Sequence, residues 1–169
     1  MREGKYNLDK EHYYSLIGKI VVEFGALEQA IEMEIISLVL PTQETVIGGL
    51  FDDLSRVVPH LTFEKKLHVL KYFYVNKYPH RKTPILNAFK KITEVQKKRN
   101  DYLHSYWNLD IYNDDERTVM KLNTQNFSKA STLKDPIQNF LDGFKSKQDL
   151  REYVKEIKEA RASLYQIKK

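Results

Sequence analysis

Residues 9–40 read DKEHYYSLIGKIVVEFGALEQAIEMEIISLVL. The apolar positions Tyr13, Ile17, Ile20, Val21, Phe24, Leu27, Ile31, Ile35 and Leu38 are separated by steps of one, three and four. That spacing draws a single apolar stripe along a long helix, which must be covered by other elements. Asp9 is placed to cap the helix at its start, and Pro41 to stop it. Gly18 and Gly25 lie seven residues apart, nearly in line along the helix. Glycine weakens a helix, so the sequence predicts a second backbone passing close to them.

Moving outward from this helix, the 3.6-residue period recurs three times. Gly48-Gly49 interrupts a short apolar stretch of Val46, Ile47, Leu50 and Phe51. Thr62 then precedes a helix carrying Phe63, Leu67, Leu70, Phe73 and Tyr74, closed by Pro79. Thr83, with Pro84 behind it, opens a third strong helix whose stripe is Ile85, Ala88, Phe89, Ile92, Val95, Tyr102, Leu103, Tyr106 and Trp107. After Asn108 the period falls to two on either side of Asn113-Asp114-Asp115-Glu116, which reads as a short β-hairpin. A polar stretch from Asn123 to Pro136 leads to a last helix beginning near Ser146 and using Leu150, Tyr153, Val154, Ile157, Ala160, Leu164 and Ile167. The predicted fold is all-α. It is a helical bundle of four to five helices with a small β-hairpin inserted before the C-terminal helix, in one domain spanning 1–169.

Composition narrows the function classes. The 169 residues hold no Cys, which excludes disulfide scaffolds, thiolate metal sites and cysteine catalysis. The opening MREGKYNLDK has no apolar signal region, and no apolar run reaches membrane-span length, so a cytoplasmic protein without a membrane partner is expected. The net charge is +5, from 28 Lys and Arg against 23 Asp and Glu. The segment His60–Arg99 holds eleven of those bases and two acids, Glu64 and Glu94, so it carries +9 while all other residues together carry −4. A run of this kind is commonly a solvated helix face, but it is also what attracts a polyanion. Tyr72, Tyr74 and Tyr78 lie among the charges, where tyrosines either pack or stack on bases.

Charges inside an apolar stripe carry the most information. With ~100° per residue, Ile92, Ala88, Tyr106, Leu103 and Ile85 fall within ~40° of Arg99. On the first helix, Ile17, Ile31, Ile35 and Glu28 fall within ~40° of Phe24. A buried guanidinium requires a partner, since desolvation costs several kcal/mol. The predicted partner is Glu28, in an ion pair joining the first and third helices. A purely structural pair, or an arginine reaching out at the bundle's end, accounts for the same pattern.

The residues that follow are Arg99-Asn100-Asp101-Tyr102-Leu103-His104-Ser105-Tyr106-Trp107. Asn100 and His104 are one turn apart, and the long Arg99 side chain can reach the same site. The trio contains what metal-free phosphodiester cleavage requires. Imidazole moves a proton at neutral pH, guanidinium neutralises phosphate charge, and an amide fixes the imidazole tautomer. On spacing alone, a lone helical histidine is more often a hydrogen-bonded structural residue than a catalyst. His60, His68 and His80 are too scattered to read as metal ligands.

Arg-Asn-x-x-x-His at the end of a long helix in a helical domain resembles the HEPN superfamily, whose signature is Arg, four to six residues, then His. Phe24-Gly25-Ala26-Leu27-Glu28, Thr62-Phe63-Glu64-Lys65-Lys66 and the exit Ser105-Tyr106-Trp107 extend the resemblance over residues 10–110, with the last helix matching more loosely. The resemblance implies a metal-independent endoribonuclease with no cofactor, of the toxin–antitoxin, abortive-infection or phage-defence kind. It implies a homodimer in which two copies of the motif meet in a cleft. Carried over, Arg99 is the catalytic cation, His104 the proton-transfer group and Asn100 their support. Lys97 and Lys98, which belong to the basic run and abut the motif, are the candidate RNA-binding residues. Tyr106 extends the pattern to Arg-x4-His-x-Tyr, a form for which a nucleotidyltransferase antitoxin partner that adds AMP is known; by its place in the stripe it is a core or interface tyrosine. A non-catalytic HEPN-like module that binds nucleic acid or a protein partner, and a purely structural helical protein, remain the competing readings.

Overall fold

The computed structural model describes residues 2–40, 49–103, 105–113, 118–123 and 144–168. Five α-helices occur among them: α1 (Arg2–Val39), α2 (Leu50–Val57), α3 (Phe63–Lys77), α4 (Lys82–Leu103) and α5 (Lys147–Gln166). Helix therefore dominates the described chain, and the fold is all-α in class. No helix among the described residues is long and apolar enough to cross a membrane.

Three strands accompany the helices: β1 (Ser105–Asn113), β2 (Thr118–Asn123) and β3 (Phe144–Ser146), in the order β1-β2-β3. Both pairings are antiparallel, with Tyr106 opposite Leu122 and Val119 opposite Lys145. The β1–β2 register is irregular between Asn108 and Tyr112.

Local sequence explains most helix starts. Thr62 accepts the backbone N–H of Lys65 at α3. Ser146 and Asp149 form a reciprocal cap at α5: the Asp149 N–H donates to Ser146 Oγ at 3.1 Å, and the Ser146 N–H to Asp149 Oδ2 at 2.7 Å. Gly49 precedes α2 with φ 77°, a conformation that suits glycine. Three expectations give way. α1 begins at Arg2, so Asp9 is inside the helix. α4 begins at Lys82, directly after a 3₁₀ turn over Pro79–Arg81, so Thr83 is helical and caps nothing. A Cβ added at Gly18 or Gly25 meets nothing within 4 Å, so neither glycine serves a close backbone approach among the described residues.

The residues form two compact units, 1–22 with 94–156 and 23–93 with 157–169. In the first, Tyr13, Leu16, Ile20, Val95, Tyr102, Leu150 and Tyr153 are buried. The Tyr153 hydroxyl donates to the Val95 carbonyl at 2.7 Å, and its ring lies 4.9 Å from that of Tyr102. In the second, Phe24, Leu27, Ile31 and Ile35 are buried with Leu70, Tyr74, Ile85, Phe89, Ile92, Ile157 and Leu164.

Candidate functional site

The candidate motif occupies the last turns of α4. The helix ends at Leu103, immediately before His104, which lies outside the described residues. Arg99 Nη1 donates to Asn100 Oδ1 at 3.1 Å. Asn100 was expected to orient His104; in the structure its amide oxygen accepts the Arg99 guanidinium. Arg99 is half-buried with its Nε shielded from solvent. On the helix wheel it lies among the buried Ile85, Ala88, Ile92, Val95 and Tyr102, all within ~60° of it on either side, while its own side chain is only partly covered. Tyr106 belongs to β1 and not to α4, so the helical-wheel position that placed it in the stripe does not apply.

Lys97 is exposed. Lys98 is engaged: its Nζ donates to both carboxylate oxygens of Glu156, at 2.7 and 2.6 Å, and lies 6.0 Å from the centre of the Tyr153 ring. This pair is half-exposed on both sides, so it is a surface pair of modest strength. It borders a cavity of about 310 Å³ on which Asp101, Asp149, Glu152 and Glu156 outnumber Lys98 and Lys145. Tyr102 and Tyr153 line the same cavity. Burial, with Asp149, Asp101 and Glu156 nearby, pushes the Tyr102 hydroxyl up to about 12. Burial likewise raises Tyr153, as does Glu156, and Arg99 acts in the opposite direction. Both phenols are hydrogen-bond donors at neutral pH, and neither is a base.

Glu28 departs from its expected role. Its carboxylate takes Lys66 of α3 as its cation, at 2.6 Å, where the sequence reading assigned it Arg99. Glu32, one turn along α1, binds the same ammonium at 2.5 Å. Lys66 is 2% exposed. Burial lowers its pKa, and the bonds to Glu28 and Glu32 more than reverse that, so it lies above the ordinary lysine value. The expectation started from Arg99 and gave it Glu28 by elimination; the structure gives Glu28 to Lys66, so the Glu28–Arg99 pair does not form. The overlooked signal is that Lys66 is three residues from Phe63 and four from Leu70, on the flank of the α3 stripe. A buried carboxylate on α1, Glu34, accepts the Tyr74 hydroxyl at 2.6 Å and pairs with Lys168 at 2.7 Å. These contacts belong to the unit that contains α3, and they are structural ties.

Among the described residues no group of three His, Asp or Glu side chains is placed to hold a metal ion. Comparison of the chain with protein-family models, with curated proteins and with solved structures finds no match.

Proposed function

We propose that this chain is a metal-independent endoribonuclease of the HEPN type, acting as a homodimer through Arg99 and His104, without a cofactor. The observation that carries the reading is the Arg99–Asn100 side-chain pair in the last turn of α4, directly before His104. Asn100 limits the freedom of the guanidinium, so less entropy is lost when it meets a phosphate. In the proposed step the RNA 2′-oxygen attacks the adjacent phosphorus, the bond to the 5′-oxygen breaks, and a 2′,3′-cyclic phosphate and a 5′-hydroxyl result. His104 accepts the 2′-hydroxyl proton, the departing 5′-oxygen takes a proton from water, His104 then returns its proton to solvent, and Arg99 compensates the charge that builds on the phosphoryl oxygens. A substrate lacking the 2′-hydroxyl is not cut. Lys97 supplies substrate attraction; Lys98 contributes only if it leaves Glu156. A toxin or phage-defence setting in the cytoplasm, with a nucleotidyltransferase antitoxin modifying Tyr106, completes the proposal.

The test is cleavage of structured and unstructured RNAs in excess EDTA by wild type and by His104→Ala. Cleavage by wild type and its loss in the variant support the reading; equal cleavage by both removes His104 from the mechanism. One observation favours a second reading, a non-catalytic HEPN-like module with a protein partner: the cavity beside the motif is acidic, and its lysine is already paired. Absence of cleavage on every RNA would select that reading.

A further inference from the structure

The +9 segment contains three tyrosines, and the structure separates them. Tyr74 is buried, with its hydroxyl on Glu34. Tyr78 is half-buried, with its ring 6.0 Å from that of Tyr74. Tyr72 is 64% exposed, far more than a ring of its size requires for packing. Its edge contact with Phe73, at 6.0 Å and 69°, steadies the ring.

Tyr72 is not alone on its face of α3. Lys65, His68 and Asn76 stand seven and four residues before it and four after it, so with Tyr72 they share one side of the helix; Lys71 adjoins them. All five are exposed. Among the described residues no acidic side chain pairs with Lys65 or Lys71. This contrasts with Lys66, which is spent on Glu28 and Glu32 and does not belong to the face. The exposed charges of α3 are therefore Lys65, Lys71 and Lys77 against Glu64. The chain adds exposed His80 and Lys82 immediately after the helix.

Unpaired lysines flanking an exposed aromatic ring fit single-stranded nucleic acid. The lysines neutralise phosphates, and the ring offers a stacking surface that any base can use. A duplex hides its base faces and would leave Tyr72 without a role. We infer that the outer face of α3, centred on Tyr72 with Lys65 and Lys71, is a binding surface for single-stranded nucleic acid. It deepens the proposed ribonuclease reading by naming the substrate class, an unpaired strand, but its chemistry does not use the 2′-hydroxyl. It therefore holds RNA and DNA strands alike, while cleavage is confined to RNA.

The experiment is fluorescence anisotropy with labelled oligouridine, oligothymidine and a blunt RNA duplex, across a salt series, for wild type, Tyr72→Ala, Lys65→Gln/Lys71→Gln and Arg99→Ala. Circular dichroism verifies that each variant is folded; all three positions on α3 are exposed. Both single strands bind wild type more tightly than the duplex. Tyr72→Ala weakens single-strand binding by roughly 5- to 140-fold, the range for removing a stacked ring. The double lysine variant lowers the magnitude of the log–log salt slope by about 1.4, ~0.7 for each phosphate contact. Retained oligothymidine binding in Arg99→Ala supports the face independently of catalysis. Unchanged binding in both α3 variants overturns the inference, as does a preference for duplex or binding lost only in Arg99→Ala. Binding to anionic lipid vesicles without binding to either strand also overturns it.

Discussion

Lys66 shows how a single residue can redistribute the meaning of a charge count. It is one of eleven bases in the segment that looked poised for a polyanion, yet it is buried and held by two carboxylates. Removing the ammonium leaves Glu28 and Glu32 facing each other without compensation. Lys66→Ala should therefore destabilise the fold by ~3 kcal/mol, in the range for breaking a buried pair. The triple change Lys66→Met, Glu28→Gln and Glu32→Gln should recover most of that loss. Urea denaturation measures both; a triple variant that loses more than Lys66→Ala contradicts this account of the cluster.

Proton linkage gives a second expectation at this scale. Lys66, Tyr74, Tyr102 and Tyr153 all have folded pKa values raised above their ordinary ones. For each, the folded chain keeps its proton where the unfolded chain releases it. The stabilisation is complete below the unfolded values, about 10.0 for tyrosine and 10.5 for lysine, and is lost as pH rises through the folded ones. Stability measured by urea titration should be level with respect to these groups up to about pH 9 and fall steeply above about pH 10. Exposed tyrosines ionise first, and the tyrosinate absorbance of Tyr74, Tyr102 and Tyr153 should follow only with unfolding. Loss, in a Tyr74→Phe variant, of an absorbance step that precedes unfolding would show that this phenol is not protected.

At the scale of the element, the helices are legible from apolar spacing, and the buried positions of α5 are close to those its period marks. The two expected caps, Asp9 and Thr83, lie inside helices, whereas Thr62 and Ser146, where α3 and α5 were expected to begin, do the capping. What misled was detail at helix ends. Tyr106 continues the α4 pattern in sequence, yet β1 begins at Ser105, since pairing with β2 gives this aromatic stretch a partner that helix periodicity cannot reveal. The glycines also misled, because helical spacing was taken to imply a contact. Gly18 and Gly25 are exposed with open space around them, so Gly18→Ala and Gly25→Ala should each raise stability by ~0.5–1 kcal/mol. Thermal unfolding of the variants tests this; destabilisation would reveal a backbone contact at these sites. Ser146→Ala should cost ~1 kcal/mol by removing the side-chain half of the α5 cap.

For the whole molecule, the excess positive charge divides into two kinds. Lys66 and Lys98 are committed to Glu28, Glu32 and Glu156, whereas Lys65, Lys71 and Lys97 are exposed. Sequence counting could not make that division, because it depends on which side chains other helices bring alongside. The candidate site was legible only in part for the same reason. The motif and its place near the end of α4 are visible in the sequence, while the Asn100–Arg99 bond, the Lys98–Glu156 pair and the acidic cavity arise from folding.

The proposed activity requires Arg99 for chemistry rather than for folding, which calls for a measurement that separates the two. Wild type and Arg99→Ala, both verified as folded, are incubated in EDTA with an RNA and with the same strand carrying 2′-deoxy sugars throughout, and product ends are identified. The account predicts wild-type RNA products ending in 2′,3′-cyclic phosphate and 5′-hydroxyl, no cutting of the deoxy strand, and a loss of at least ~100-fold in rate for Arg99→Ala, as for removal of one charge-stabilising donor. Wild-type cleavage that persists undiminished in folded Arg99→Ala, or that cuts the deoxy strand equally well, would contradict it.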